Sequence, residues 1–214
     1  GWGVDNPIVD SGGNDTLDFS ALSAALAFTL NSANLNVTDG TNIVTYNGTT
    51  IENLIGGAAD DLFTFNAGAN ITGLINGGAG NDTLNFATFT SALDIKLTAL
   101  GDVDGFNGTR GTSPATFANI NSIVGGTAVD NLTGLNATSS WQLSVNSNQY
   151  VSTNTLTFLA FENLNGGSGA DTFVFNGNAS VNGSVDGGAG SDTLNYSNYT
   201  SAVTVNFPAQ TASG

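Results

Sequence analysis

The chain has 214 residues, and its 17 acidic and two basic residues give a formal net charge of −15. It contains no Cys, Met or His. Nucleic acids and anionic membranes are excluded as partners, because almost no cation is present to neutralise phosphate groups. Zinc, copper and haem are disfavoured because their usual ligands are missing, whereas Asp carboxylates and backbone oxygens suit calcium.

The composition predicts an all-β protein. Gly, Asn, Ser and Thr are abundant, which argues against long helices. The 40% of hydrophobic residues lie in short alternating runs such as DTLNF and DTFVF, which is typical of strands with one buried face. No apolar run reaches the ~20 residues of a membrane span. No secretory leader is visible at the start, and with no Met the chain is expected to be a piece of a longer polypeptide.

In chain order, a Gly-Gly-x-x-x-Asp turn followed by an alternating strand recurs along the sequence. Its Asp falls at Asp61, Asp82, Asp130, Asp171 and Asp192, and the variant DSGGNDTL places Asp15 in the same position. Successive spacings of 46, 21, 48, 41 and 21 residues are one or two multiples of a coil of about 20 to 24 residues.

A longer repeat contains these short ones. The segment near 51–97 realigns without a gap on the segment near 161–207, at an offset of 110 residues, with about half of the positions identical. Five coils would make up the 110-residue unit. Residues 1–214 are therefore predicted to form a single repetitive module.

The repeat predicts a parallel β-solenoid of the β-helix or β-roll kind. One coil of short strands cannot bury its apolar side alone, but coils stacked in register bury a continuous core. The two ends of such a stack are open sheet edges. We therefore expect other copies of the chain, or flanking repeats of the same polypeptide, as partners by end-to-end stacking.

Three motifs resemble a known family. GGAGNDTLN from Gly77, GGSGADTFV from Gly166 and GGAGSDTLN from Gly187 match the nonapeptide GGxGxDxUx of the RTX (repeats in toxin) family, where U is a large apolar residue. The chain is also similar to giant repetitive adhesins and surface proteins of bacteria. The resemblance implies a parallel β-roll, type I secretion and calcium. Its candidate metal ligands are Asp15, Asp61, Asp82, Asp130, Asp171, Asp192, Gly77, Gly80, Gly166, Gly169, Gly187 and Gly190.

Calcium at these turns has a competing interpretation. In the calcium-binding rolls of the family the nonapeptides follow one another directly, and here they are solitary. A spacing of 21 residues still places Asp61 over Asp82 and Asp171 over Asp192, where a bridging Ca²⁺ or a proton would relieve the repulsion between buried carboxylates. The alternative is that the Asp side chains only close Asx-turns.

Several other residues have structural interpretations. The acidic pairs Asp60 with Asp61 and Asp102 with Asp104 are read as turn carboxylates rather than glycosidase acids, so no enzyme is predicted. Asn53, Asn163 and Asn121 are expected to form hydrogen-bond ladders. The recurrent aromatic residues are expected to pack in the core, and these are Phe63, Phe65, Phe86, Phe173, Phe175 and Tyr196. Trp2 and Trp141, if exposed, are the better candidates for a partner contact.

These features favour an extracellular structural or adhesive module of a large bacterial surface or filament-forming protein, stabilised by calcium, with a cell-surface or matrix ligand. Two alternatives remain. One is a calcium-binding RTX-like carrier or secretion domain of a secreted enzyme. The other is a self-assembling extracellular filament subunit whose coil ends stack on each other.

Overall fold

The computed structural model describes residues 8, 10, 12–48, 50–111 and 115–204. These residues form strands, turns and bends, and none of the described residues is helical. The chain is therefore all-β, as predicted. In the part of the chain that is described, no helix could cross a membrane.

Twenty short strands form the framework. The first ten are β1 (Asp15–Asp18), β2 (Ala27–Leu30), β3 (Asn34–Thr38), β4 (Ile43–Asn47), β5 (Ile51–Ile55), β6 (Leu62–Phe65), β7 (Leu74–Asn76), β8 (Thr83–Asn85), β9 (Asp94–Leu100) and β10 (Phe106–Arg110). The others are β11 (Thr116–Ile120), β12 (Ser122–Val124), β13 (Asn131–Thr133), β14 (Ser139–Leu143), β15 (Asn148–Val151), β16 (Thr155–Leu159), β17 (Asn163–Asn165), β18 (Asp171–Phe175), β19 (Val185–Asp186) and β20 (Thr193–Asn195).

The strands belong to two sheets. A nine-stranded sheet has the order β1-β5-β7-β11-β10-β9-β13-β17-β19. An eleven-stranded sheet has the order β20-β18-β14-β15-β16-β12-β8-β6-β2-β3-β4. Neither sheet is closed, so β19 and β20 end the two sheets on one side and β1 and β4 end them on the other.

The strands of the short repeat pair in parallel, as the 21-residue spacing predicts. Strand β6 pairs with β8, with Phe63 opposite Leu84, and β18 pairs with β20 in the equivalent register. In the other sheet β5 pairs with β7 and β17 pairs with β19. The two copies of the long repeat therefore have the same local strand pairing.

The prediction of a purely parallel stack is wrong at three places. Strands β2–β3–β4, β9–β10–β11 and β14–β15–β16 form antiparallel meanders inside the sheets. The reason is local turn chemistry between the widely spaced motifs. Asp39 Oδ1, for example, accepts hydrogen bonds from the N–H groups of Thr41 and Asn42 and so closes the turn between β3 and β4.

The meanders change the advance of the long repeat. From β5 to β17, and from β6 to β18, the strand order advances by six positions in each sheet. One meander lies within this unit in each sheet, and it adds two strands without adding a coil. The six positions less these two strands correspond to four coils, so the prediction of five coils per 110 residues is wrong.

The core is one continuous cluster with side chains from both sheets. Strands such as Ala27–Leu30 alternate buried and half-buried residues, so each strand contributes every second side chain. Aromatic rings stack between neighbouring strands, with Phe65 and Phe86 at 4.6 Å between ring centroids. The aromatic residues predicted to pack in the core are buried, except Tyr196, which is half-buried.

The prediction of a partner contact at the two tryptophans can be examined only for Trp141. Trp141 is fully buried, so it is not a partner contact. Trp2 lies outside the described residues.

Candidate functional site

The turn between β7 and β8 shows what the three-glycine motif does. Gly78 and Gly80 have φ of +101° and +123°, which a side chain would strain. The N–H of Gly78 donates to Asn76 Oδ1 at 3.2 Å, so the Asx-turn begins on the residue before the motif. Asn165 and Asp186 accept from Gly167 and Gly188 in the same way, at 2.9 Å each.

The glycines predicted as metal ligands make room for other groups. A Cβ on Gly77, Gly166 or Gly187 would overlap Oδ2 of the Asp five residues later, so the first glycine leaves space for the carboxylate. At Gly80, Gly169 and Gly190 a Cβ would overlap the backbone of an earlier turn. At Gly80 this backbone is that of Ala59, whose carbonyl carbon would lie at 2.6 Å. These third glycines allow neighbouring turns to approach closely.

Four of the six motif Asp side chains are buried. Asp61 is 1% exposed, and Asp82, Asp130 and Asp171 are 0% exposed. Asp15 is half-buried and Asp192 is exposed. A buried carboxylate must be hydrogen-bonded, bound to a cation or protonated, so the partners of the buried Asp oxygens decide which of these applies.

At Asp61 and Asp130 both carboxylate oxygens accept backbone hydrogen bonds. Asp61 Oδ1 accepts from Leu26 N at 2.7 Å and Oδ2 from Gly57 N at 2.5 Å. Asp130 Oδ1 accepts from Leu93 N at 2.8 Å and Oδ2 from Gly126 N at 2.6 Å. These carboxylates cap the backbone of their own turn and of a neighbouring segment.

Asp82 and Asp171 have one satisfied oxygen each. Asp82 Oδ1 accepts from Asp61 N at 2.8 Å, and Asp171 Oδ1 accepts from Ser139 Oγ at 2.5 Å. Oδ2 of each residue is buried without a hydrogen-bond partner among the described residues. Both residues belong to motifs that have the third glycine. In these motifs the N–H of the second glycine donates to the preceding Asn rather than to the Asp carboxylate.

The backbone N–H groups of the motif Asp residues follow one rule. Five of the six donate to a side-chain acceptor in a segment that follows in the chain, at 2.8 to 3.1 Å. For Asp15, Asp61, Asp82, Asp130 and Asp171 these acceptors are Glu52, Asp82, Asn121, Glu162 and Asp192 respectively. The contacts confirm the predicted placement of Asp61 on Asp82 and of Asp171 on Asp192.

The sequence interpretation missed Glu52 and Glu162 as acceptors, and it expected Asn121 in a hydrogen-bond ladder rather than as the acceptor for an Asp amide. They occupy one recurring position, in ENL, ENL and NSI, and this recurrence was the available signal. The adjacent Asn53 and Asn163 form the predicted ladder contacts, donating to Asn14 Oδ1 at 2.7 Å and to Asn131 Oδ1 at 2.9 Å.

Burial raises the pKa of the buried motif carboxyls. The pKa of Asp82 rises to about 7, first because of desolvation and then through the charges of Asp61, Asp104 and Asp60. Desolvation likewise raises the pKa of Asp61, Asp130 and Asp171. The pKa of Asp15 is raised by desolvation and then by Asp10 and Glu52.

The acidic side chains of the described residues do not form a calcium-binding group at these turns. Calcium takes six to eight oxygen ligands, several of them carboxylate oxygens. Asp61 and Asp130 already use both oxygens, and no group of three acidic side chains in the described ranges could hold a metal. The lone Oδ2 atoms of Asp82 and Asp171 offer one free ligand each. Calcium binding by the predicted residues stays a prediction, and the described side chains do not supply a complete set of ligands for it.

The remaining acidic pairs are turn acceptors. Asp60 Oδ1 accepts from Asn81 N at 2.7 Å, and Asp104 Oδ2 accepts from Gly80 N at 3.1 Å. Asp102 is exposed. These contacts agree with the interpretation of these residues as turn carboxylates.

Comparison with known proteins identifies the family. Residues 6–77 and 73–186 match the family model described as Peptidase M10 serralysin C terminal. Metallopeptidase AprA of Pseudomonas marginalis is 44% identical over 64 residues, which are 29% of this chain and 13% of the relative. No solved structure matches the chain.

These comparisons confirm the RTX resemblance in its coarse form and give no support to an adhesin or a filament protein. The matched family model is that of a non-catalytic C-terminal domain, so the chain is not an enzyme, as predicted. The match covers most of the chain. The chain belongs to the serralysin C-terminal family of the M10 peptidases, whose repeats are of the RTX type.

Proposed function

We propose that the chain is an extracellular carrier domain that accompanies a secreted protease through export, as the alternative interpretation of the sequence had it. The observation that carries this proposal is the family match over residues 6–186. The matched segment of metallopeptidase AprA covers 13% of that protein, which leaves room for a separate catalytic part in such relatives.

The architecture supports a carrier built as a β-solenoid. The chain passes repeatedly between the two sheets, and strands of successive passes pair in parallel, as β6 does with β8 and β5 with β7. Successive passes are joined through the Asp amide contacts. Such a stack is held by contacts between neighbours, so it can form progressively as the chain emerges from an exporter.

The charge of the chain fits this role as well. A net charge of −15 with two basic residues keeps a domain soluble and repels other acidic surfaces. In the described candidate pairs, Asp60, Asp61 and Asp104 accept backbone amides and Asp102 is exposed, which supports turn carboxylates rather than catalytic acids. A structural or adhesive role has no specific observation in its favour.

An export assay tests the proposal. A small enzyme without its own leader is fused to the N-terminus of the chain and co-expressed with a type I exporter of the serralysin class. We expect the fused enzyme in the medium and the unfused enzyme in the cells. Retention of the fusion in the cells, with the chain folded by circular dichroism, would count against the carrier role.

A further inference from the structure

Asparagine followed by glycine occurs six times in the chain and is the dipeptide most prone to deamidation, because glycine has no side chain to shield its backbone nitrogen. In this reaction the Gly nitrogen attacks the carbonyl carbon of the Asn side chain. The Gly N–H and the Asn amide must therefore both be free, and the backbone between them must be able to rotate. The asparagines of these pairs are Asn47, Asn76, Asn107, Asn165, Asn176 and Asn182.

Four of the six asparagines are strand residues. They lie in β4, β7, β10 and β17 and are Asn47, Asn76, Asn107 and Asn165. Strand pairing holds their backbone extended, which keeps the Gly nitrogen from turning toward the side chain. Asn165 is also held by hydrogen bonds. Its Oδ1 accepts from Gly167 N at 2.9 Å, and the N–H of Gly166 donates to the Asp186 carbonyl at 2.9 Å.

Asn176 follows β18 and is fixed through both ends of its amide. Its Nδ2 donates to Gln142 Oε1 and to the Leu143 carbonyl at 3.3 Å each. Its Oδ1 accepts from Asn198 Nδ2 at 2.9 Å, and the N–H of Gly177 donates to the Asn198 carbonyl at 3.0 Å. Neither reacting group of this pair is free.

Asn182 has none of these restraints. It lies in the loop between β18 and β19, and its side chain is exposed. Among the described residues, neither its side chain nor the N–H of Gly183 makes a hydrogen bond. In the first copy the equivalent Gly73 donates to the Glu52 carbonyl at 3.1 Å, a bond that Gly183 lacks. In the described part of the chain, Asn182-Gly183 is thus the Asn-Gly pair that lies outside a strand with both reacting groups free.

The exposure of Asn182 does not depend on where the stack of layers ends. Its equivalent in the first copy, at the 110-residue offset, is Thr72. A further layer is present there, because β11 pairs with β7, and Thr72 is nevertheless exposed. This loop position therefore stays open to water when the next layer is in place.

We propose that Asn182 is a site of spontaneous deamidation, whether or not the chain acts in export. The Gly183 nitrogen forms a bond to Cγ of Asn182 and loses its proton, while the bond from Cγ to Nδ2 breaks and ammonia leaves. Water then opens the resulting succinimide ring at one of its two carbonyls. The products are an aspartate or an isoaspartate at position 182, and no oxidant is required.

The isoaspartate product disturbs the contacts of this loop with β17. It adds one carbon to the backbone directly before Gly183, where space is limited, since a Cβ on Gly183 would lie 2.4 Å from the Glu162 carbonyl oxygen. Ser184 N donates to Asn163 Oδ1 at 3.0 Å, and Leu164 N donates to the Ser184 carbonyl at 2.9 Å. A longer backbone before Ser184 displaces both hydrogen bonds.

Peptide mapping of the full chain tests the proposal. The folded chain is incubated at mildly alkaline pH, digested with chymotrypsin, and each Asn-Gly pair is followed by mass spectrometry. We expect Asn182 to deamidate at least about tenfold faster than Asn165, because Asn165 must first break two hydrogen bonds of about 1 kcal/mol each. In urea all six pairs should react at similar rates, since they share the same dipeptide. Equal rates at Asn182 and Asn165 in the folded chain, or a difference that persists in urea, would overturn the proposal.

The variant Asn182→Thr is the matched control, because Thr72 occupies the equivalent position in the first copy. Incubation should convert the wild type to a more acidic form on ion exchange, and this main acidic form should be absent from the variant. Hydrogen exchange at the Leu164 amide should become faster in the incubated wild type and stay unchanged in the variant. An acidic form of equal abundance in Asn182→Thr would place the reaction elsewhere and overturn the proposal. Unchanged exchange at Leu164 in the deamidated wild type would overturn the effect on β17.

Discussion

Four motif Asp residues, Asp61, Asp82, Asp130 and Asp171, each join three layers of the structure through their own atoms. The carboxylate accepts from an earlier segment, as Asp82 Oδ1 does from Asp61 N, and the amide of the same residue donates to a later one, as Asp82 N does to Asn121. A hydrogen bond contributes about 1 kcal/mol net, and more when one partner is charged. The geometry therefore gives these residues a structural role that needs no ion.

Asp82 makes the stability of the protein depend on pH. Its pKa rises from 3.8 in the unfolded chain to about 7 in the folded one, so the folded state keeps a proton that the unfolded state loses between these values. The stabilisation is full below pH 3.8 and is lost as the pH rises through 7, by at most about 4 kcal/mol. Asp61, Asp130 and Asp171 shift in the same direction.

We therefore predict that Asp82→Asn flattens the decline of melting temperature between about pH 4 and pH 7. Asn keeps an oxygen for the Asp61 amide and cannot ionise. Thermal unfolding by circular dichroism at several pH values measures this, with Asp102→Asn, an exposed turn residue, as the control. An unchanged pH slope in Asp82→Asn would show that this carboxyl is not the titrating group.

The first glycine of the motif is predicted to be intolerant of a methyl group. A Cβ on Gly56 would overlap both Asp61 Oδ2 and the carbonyl oxygen of Gly77, and backbone cannot move aside cheaply. Gly40→Ala is the control, because it has a positive φ of +87° but no atom within 4 Å of the new Cβ. Urea unfolding should show a loss of about 1 kcal/mol for Gly40→Ala and at least twice that loss for Gly56→Ala. Equal losses would contradict the steric explanation.

At the scale of the elements, the meanders explain why the sequence predicts the strands better than their directions. The 46 residues between Asp15 and Asp61 fit two coils by length, but β2, β3 and β4 fill them as antiparallel neighbours. Both arrangements alternate buried and exposed residues with a period of two, so periodicity cannot distinguish them. The Asp39-Gly40 turn was the local signal for a hairpin.

The 21-residue spacing, in contrast, was sufficient to predict which strands pair in parallel. A connection this short between parallel strands of one sheet leaves room for only one strand in the other sheet, as β7 lies between β6 and β8. The sequence therefore predicts the placement of Asp61 on Asp82. It could not identify Glu52 and Glu162 as the acceptors for Asp15 and Asp130, because those contacts depend on how the intervening meanders fold.

The third meander holds the largest buried side chain. Trp141 on β14 contacts Tyr150 at 4.8 Å and stacks on Phe173 at 5.3 Å between ring centroids. Its indole nitrogen is buried without a hydrogen-bond partner among the described residues. The ring therefore contributes packing, while its polar N–H is a cost.

We predict that Trp141→Ala destabilises the chain by about 3 to 5 kcal/mol, as large-to-small changes of buried aromatics do. Trp141→Phe should cost clearly less, because it keeps a ring and removes the unsatisfied N–H. Urea unfolding measures both, with Val145→Ala, a 71% exposed position in the same meander, as the control. A Phe variant as unstable as the Ala variant would mean that the indole nitrogen has a partner.

At the scale of the whole molecule, backbone N–H groups stabilise the buried carboxylates of this strongly acidic chain. Asp61 and Asp130 use N–H groups for both oxygens, and burial keeps a proton on Asp82 up to about pH 7. The single Arg does not serve the acidic turns. Arg110 donates to Asn70 Oδ1 and the Ile71 carbonyl, and its guanidinium lies 5.3 Å from the centre of the Phe65 ring. The acidic turns are thus stabilised without cations from the chain itself.

It follows that removal of calcium should leave the fold intact. The resemblance to RTX repeats implies calcium, but a bound ion stabilises a protein only through sites that exist in the folded state. We expect the same β spectrum and melting temperature in excess EDTA and in millimolar Ca²⁺, measured by circular dichroism at constant ionic strength with Mg²⁺ as the control. A rise in melting temperature specific to Ca²⁺ would show that the turns rearrange around the ion. Loss of that rise in Asp171→Asn would then assign Asp171, with its unpaired oxygen, as a ligand.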